Sequence, residues 1–196
     1  WIRRQIDQNT PFDEFTRQIL AASGTPETAP ATVWYRDLKQ PDQFVDDAAQ
    51  VFLGMRLQCA KCHHHPFETW SQDDYYGFAA FFGRVGRKGS LSSQKGGSDE
   101  LVIFTKRSGQ VANPKTGQPM QPRGLGEPEP FSVPPSEDPR ETLVDWLAQE
   151  SNPFFAPAVV NRYWAHFFGR GLVEPIDDLR ETNPATNPAL LKALCD

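Results

Sequence analysis

Apolar and polar positions first fall into a clear rhythm after Thr10-Pro11, where Phe12, Phe15, Ile19 and Leu20 recur at helical spacing. Thr10 is expected to cap this helix, Pro11 suits its first position, and Asp13 and Glu14 suit its positive end. Gly24 stops it. A second stripe runs through Phe44, Ala48, Val51, Phe52 and Met55 and continues to Cys59 and Cys62. That spacing predicts one helix from about Pro41 or Asp42 to Cys62, with both thiols on its buried face. A third helix is predicted from Ser71 or Asp73, placing Tyr75, Phe78, Ala79 and Phe82 on one face, where core packing accounts for most of the rings.

From Gly83 to Pro135 the chain is rich in Gly, Ser, Lys and Pro. Leu101-Val102-Ile103-Phe104 predicts a short strand, turned back through Lys106-Arg107-Ser108-Gly109 into a second strand near Val111. Helices resume after Ser136-Glu137-Asp138-Pro139, with Leu143, Trp146 and Leu147 as the buried stripe and Asn152-Pro153 as the end. A further helix runs from near Pro157 to Phe168, is dense in aromatics (Tyr163, Trp164, Phe167, Phe168), and stops at Gly169. The fold expected is mainly α, with a small central β-hairpin and an irregular Pro/Gly-rich loop. The expected divisions are a helical domain at 1–85, a hairpin and linker at 86–135, and a helical segment at 136–196.

Composition narrows this picture modestly. The chain has 196 residues, 38% hydrophobic, enough for a real core, and its formal net charge of −5 gives no reason to expect a nucleic-acid partner. No apolar run is long enough to span a bilayer. It begins at Trp1 and ends at Leu194-Cys195-Asp196 within an apolar, helix-like stretch, so we expect an excerpt of a longer polypeptide. Aromatics are 12% of the chain, which suits a filled core or a pocket for a flat cofactor.

The second stripe ends in chemistry. Cys59-Ala60-Lys61-Cys62-His63 is C-x-x-C-H, the signature of covalent haem c attachment. Two thiols at this spacing add across the two vinyl groups on one edge of the porphyrin, and the next imidazole meets the iron from one face. Three other readings compete: zinc held by Cys59, Cys62, His63, His64 and His65; a thioredoxin-like dithiol; and inert cysteines. Zinc lacks an evident second ligand pair, since only Cys195 and His166 remain. A thioredoxin-like pair opens a helix after a strand, whereas this one is predicted to close a helix. Cys195 alone suits a small buried apolar role.

The segment Phe52-Leu53-Gly54-Met55-Arg56-Leu57-Gln58-Cys59-Ala60-Lys61-Cys62-His63-His64-His65-Pro66-Phe67, with Trp70 and Asp74-Tyr75-Tyr76, resembles the planctomycete-type cytochrome c family catalogued as a domain of unknown function, DUF1549. Downstream, Val160-Asn161-Arg162-Tyr163-Trp164-Ala165-His166-Phe167-Phe168-Gly169-Arg170-Gly171-Leu172-Val173, with Asp177-Asp178-Leu179-Arg180 and Asn183-Pro184, resembles its companion DUF1553. The resemblance implies a large secreted or periplasmic protein, often with further cytochrome or carbohydrate-binding modules. It implies no particular reaction.

A haem c used for electron transfer has Met or His opposite the proximal His. Met55 shares the thiols' side of the predicted helix, and His64 and His65 lie too close to His63 to cross the ring. His65 suits a supporting or propionate contact. His166 and Met120 remain as distal ligands; His166 is preferred, three after Tyr163 and seven after Val159 and so able to face inward, while Met120 sits in a Pro-rich loop, and a ligand-free sixth position is the third alternative, which would point towards small-molecule chemistry. Arg162, Arg170 and Arg180 suit propionates or the nearby acids Glu174, Asp177 and Asp178. The haem is expected between the Cys-bearing helix and the aromatic helix.

The leading expectation is one covalent haem c in an extracytoplasmic electron-transfer module, with other redox proteins or haem domains as partners. The alternatives are a haem-dependent oxidoreductase acting on a small or polysaccharide-derived molecule, and a structural domain stapled by haem or zinc.

Overall fold

The computed structural model describes residues 1–64, 69–89 and 101–196. The fold is mainly α, with small antiparallel strand pairs at its middle. The helices are α1 (Ile2–Asp7), α2 (Phe12–Leu20), α3 (Trp34–Asp37), α4 (Pro41–Ala48), α5 (Gln72–Ala79), α6 (Pro139–Leu147), α7 (Phe155–Phe168) and α8 (Pro188–Cys195).

Local chemistry explains most starts and stops. Ser71 Oγ accepts from the Asp74 N–H while the Asp74 carboxylate accepts from the Ser71 N–H, a reciprocal cap that begins α5. Asp138 caps α6 by accepting from the Arg140 N–H, with Pro139 at the first position. Gly169 ends α7 at φ +75°, as its sequence position predicts. Thr10 does not cap α2; its hydroxyl donates to Gln5 Oε1, drawn off by the preceding helix α1, which the apolar pattern did not reveal.

The predicted helix from Pro41 to Cys62 is corrected to three pieces. Helix α4 passes into a π-helical turn at Ala49–Leu53, Gly54 reverses the chain at φ +64°, and a separate 3₁₀ turn spans Gln58–Lys61. The periodicity holds only to Phe52; beyond it the wider turn shifts the register and Gly54 breaks it.

The hairpin is also re-paired. Strand β1 (Val85–Gly89) lies antiparallel to β2 (Leu101–Thr105), with Gly86 opposite Phe104. The stretch near Val111 forms a second pair instead, β3 (Val111–Ala112) with β4 (Pro119–Met120). Lys106-Arg107-Ser108-Gly109 therefore joins two strand pairs and does not close one. The extra strand was hidden because Val85–Gly89 (Val-Gly-Arg-Lys-Gly) lacks β-branched alternation.

One apolar cluster unites the segments. It includes Leu20, Tyr35, Phe44, Phe78 and Phe82 from the first part, Ile103, Val111 and Leu125 from the middle, and Leu143, Trp146 and Phe155 from the last. Ring contacts such as Phe44–Phe82 (5.2 Å) and Phe78–Trp146 (6.1 Å) account for much of the aromatic content. Arg140, only 1% exposed, locks the cluster's edge. Its guanidinium pairs with Asp138, donates to the Ala22 carbonyl and Ser23 Oγ, and lies 5.2 Å from the Tyr35 ring.

Candidate functional site

The 3₁₀ turn at Gln58–Lys61 has two faces. Ala60 is fully buried and Leu57 is 1% exposed, so they form the inner face. Cys59, Cys62 and His63 are exposed on the outer face, and both thiols are free. This corrects the expectation that the thiols continue a buried helical stripe. Cys59 lies within the turn and Cys62 is the residue that closes it, three positions on, with its N–H donating to the Cys59 carbonyl. Cys195 is half-buried near the end of α8.

Lys61, between the cysteines, anchors the turn. Its ammonium pairs with Asp42 at the start of α4, and its carbonyl accepts from Gln72 Nε2 at 2.8 Å and from the Tyr76 hydroxyl at 3.4 Å. The hydrogen bond to Asp42 raises the Lys61 pKa. Burial pushes the Asp42 carboxyl up, but the contact with Lys61 outweighs it and the net shift is downward. The turn is thus held by residues of fixed charge at neutral pH, leaving its two sulfurs accessible.

His63 follows the second cysteine directly. Its Nδ1 lies 2.6 Å from the His64 carbonyl. A carbonyl only accepts, so Nδ1 carries the proton and Nε2 keeps its lone pair for a metal. His64 is exposed, and His65 lies outside the described residues. Among the described residues, no three His, Cys, Asp or Glu side chains converge as a metal-ion site.

The segment leading into the turn is clamped by the C-terminal part of the chain. Asp177 accepts from Gln50 of the π-helical turn and from Arg56 Nη2 at 2.7 Å. The Arg56 hydrogen bond is the main reason the Asp177 carboxyl sits below its ordinary range. Arg162 Nη2 donates to the Gln50 carbonyl. Asn161, fully buried, is bonded in both directions to Val173 and so fixes the loop that follows α7. Gly54 is favoured by its positive φ, and a Cβ there would also oblige the Leu179 side chain, 2.5 Å away at Cδ1, to shift.

The remaining predicted residues divide. His166 is exposed on the last turn of α7, which corrects its inward placement. The buried face of α7 is Phe155, Ala158 and Asn161; Val159 is half-buried, and by Tyr163 and His166 the stripe has turned to the exposed side. Tyr163, Phe167 and Phe168 are correspondingly exposed. Met120 is in strand β4, paired with Val111 and packed against the core, not in a free loop. Arg180 pairs with Asp178 at 3.1 Å, and Arg170 is exposed.

The arrangement suits haem c. Two exposed thiols stand in and at the end of a single turn, and the adjoining imidazole offers Nε2. A crevice beside the turn, lined by Met55, Leu57, Trp70 and Leu179, holds a buried Trp70 Nε1–H with no acceptor among the described residues. Sequence reasoning missed the Asp177–Arg56–Gln50 clamp and the role of Asn161. Gly54, an isolated glycine within a helical pattern, was the available signal for the break that creates them.

Residues 1–87 match the family PSCyt2, described as a protein of unknown function (DUF1549). Residues 139–196 match the family PSD1, also described as a protein of unknown function (DUF1553). No curated protein and no solved structure matches the chain.

Proposed function

We propose that this chain, which joins a DUF1549 segment to a DUF1553 segment, is a c-type cytochrome module that carries one covalent haem c and transfers electrons outside the cytoplasm. The observation that carries the reading is the Cys59–His63 turn, with two exposed thiols at C-x-x-C spacing and a histidine whose free nitrogen is Nε2. Haem c supplies a reversible one-electron couple when bound.

Cys59 and Cys62 would hold the haem through two thioethers, and their exposure would leave the attachment accessible to other redox proteins or haem domains. His63 would supply the iron-binding nitrogen, and its bond to the His64 carbonyl would fix the tautomer and strengthen the donor. His166 is proposed as the distal ligand. It lies four residues after Arg162, whose side chain touches the π-helical turn before the cysteines, and its imidazole is exposed. Met120 is engaged with the core and would have to leave it. No helix among the described residues is long and apolar enough to cross a membrane.

The test is co-expression with a haem c maturation system, followed by reduced-minus-oxidised visible spectra of the chain and of Cys59→Ser, Cys62→Ser and His63→Ala. The chain should show sharp c-type bands. The double cysteine variant should show no haem after acid-acetone extraction, and His63→Ala should retain covalent haem with altered iron coordination. Covalent haem in the double cysteine variant would overturn the assignment.

A further inference from the structure

Helix α7 has two apolar sides, and only one of them meets the core. Phe155, Ala158 and Asn161 are buried, while Ala156, Val160, Tyr163 and Phe167 follow the opposite side. These four are spaced by four, three and four residues, the interval of a seam between two helices. Tyr163 and Phe167 are 54% and 71% exposed, and their rings stack at 6.3 Å, so the most open end of the seam is also its most aromatic.

A single exposed ring is ordinary, but a continuous apolar strip marks an interface. Here the strip is continuous across neighbouring helices. Ala156 and Val160 line a hollow of about 650 Å³ together with Phe12 and Leu194, and Phe12 also lines a hollow of about 220 Å³ together with Ile2, Ile6 and Tyr163. Ile2, Ile6 and Leu194 are exposed as well.

The two ends of the strip differ in size and in charge. At the Ala156 end the side chains of α7 are small, the hollow is the larger one, and its charged lining residues are all acids: Asp13, Glu150 and Asp196. At the Phe167 end the side chains are large. Exposed Arg3 and Arg4 stand there on α1 against a single acid, Asp7, and exposed Arg170 follows the end of α7. A surface with a small acidic end and a bulky basic end complements a copy of itself turned end for end.

We infer that this strip is the interface of a homodimer, in which two copies of α7 pack antiparallel about a two-fold axis midway between Val160 and Tyr163. That register sets Ala156 opposite the partner's Phe167 and Val160 opposite the partner's Tyr163, and symmetry repeats both matches. Each Phe167 enters the larger hollow of the other copy, and each acidic end meets a basic one. A lipid surface would use neither match. None of Cys59, Cys62, His63 and His166 belongs to the seam, so assembly does not depend on haem.

Sedimentation velocity of the full chain over a range of concentrations tests the inference. A species of two chains is expected at tens of micromolar, dissociating on dilution, with equal affinity with and without attached haem. Raised salt should weaken it severalfold, because the paired ends are charged. Tyr163→Glu places a charge in the apolar seam and should raise the dissociation constant at least tenfold. Phe167→Ala and Ala156→Phe should each weaken association, the first by emptying the larger hollow and the second by filling it. The two together exchange the sizes across the seam and should recover most of the affinity. Tyr163 and Phe167 are exposed, so their variants should keep the parent circular dichroism spectrum. A chain that stays monomeric throughout, a dimer indifferent to Tyr163→Glu, or a double variant no better than Phe167→Ala would each overturn the assignment. So would a monomer that co-sediments with phosphatidylglycerol vesicles, which would give the strip to a lipid surface. If Ala156→Phe does not fold, Tyr163→Glu and Phe167→Ala decide: unchanged association in both would also overturn it.

Discussion

At the scale of single residues, charge placement governs both the site and the stability. Asp138 is mostly buried, and burial pushes its carboxyl up; its bonds to Arg140 and Thr105 outweigh that, so the net shift is downward. A carboxyl with a lowered folded pKa contributes stability that is present above the ordinary carboxylate range and lost as pH falls through the folded value. Acidification below about pH 4 should therefore destabilise the chain, and Asp138→Asn should flatten that dependence in denaturant titrations across pH. At neutral pH the same variant leaves Arg140 buried without its counter-charge and should cost about 3–5 kcal/mol. On the proposed haem assignment, with His166 as distal ligand, His166→Ala should open the sixth position and allow carbon monoxide to bind the reduced protein, while Met120→Leu should leave the visible spectrum unchanged. A spectrum altered only by Met120→Leu would reverse the ligand assignment. The motif Cys59-Ala60-Lys61-Cys62-His63 was legible residue by residue because its chemistry demands contiguous spacing. The Arg140–Asp138 pair was not, since a buried arginine carries no local sign of burial; only the capping role of Asp138 is visible in Asp138-Pro139.

At the scale of elements, the break between α4 and the cysteine turn is the feature that shapes the site. A continuous helix would have buried the thiols. The π-helical turn and Gly54 turn the chain so that Ala60 faces inward and Cys59 and Cys62 face outward. Apolar spacing misread this region because Met55 and Leu57 are buried in either geometry. The prediction that follows is strict: Gly54→Ala combines a positive φ with a 2.5 Å approach to Leu179, and should lower stability by about 1–3 kcal/mol in thermal or chemical melts. Asp177→Ala should release Gln50 and Arg56 together, reducing the yield of haem-loaded protein more than it reduces the melting temperature. An unchanged yield would mean that the clamp does not position the turn. Helices α5 and α6 were legible because their caps are local, whereas the partner of β2 was not, because pairing with Val85–Gly89 is a long-range choice.

At the scale of the whole molecule, the segments matching the two families share one core. Phe78 meets Trp146, Arg140 bonds to the Ala22 carbonyl, and Asp177 reaches Gln50. The matched boundaries therefore do not mark separate cores, and the chain should unfold in a single transition, with coincident curves from tryptophan fluorescence and far-ultraviolet circular dichroism. Two resolved transitions would contradict that coupling. The central claim concerns the group at Cys59 and Cys62. It is tested most directly by the intact mass of the denatured chain after expression with a haem c maturation system, followed by mass mapping of the peptide that contains both cysteines. A gain of one haem that survives denaturation and maps to Cys59–Cys62 is the predicted result; an unmodified mass with two titratable thiols at those positions would contradict it.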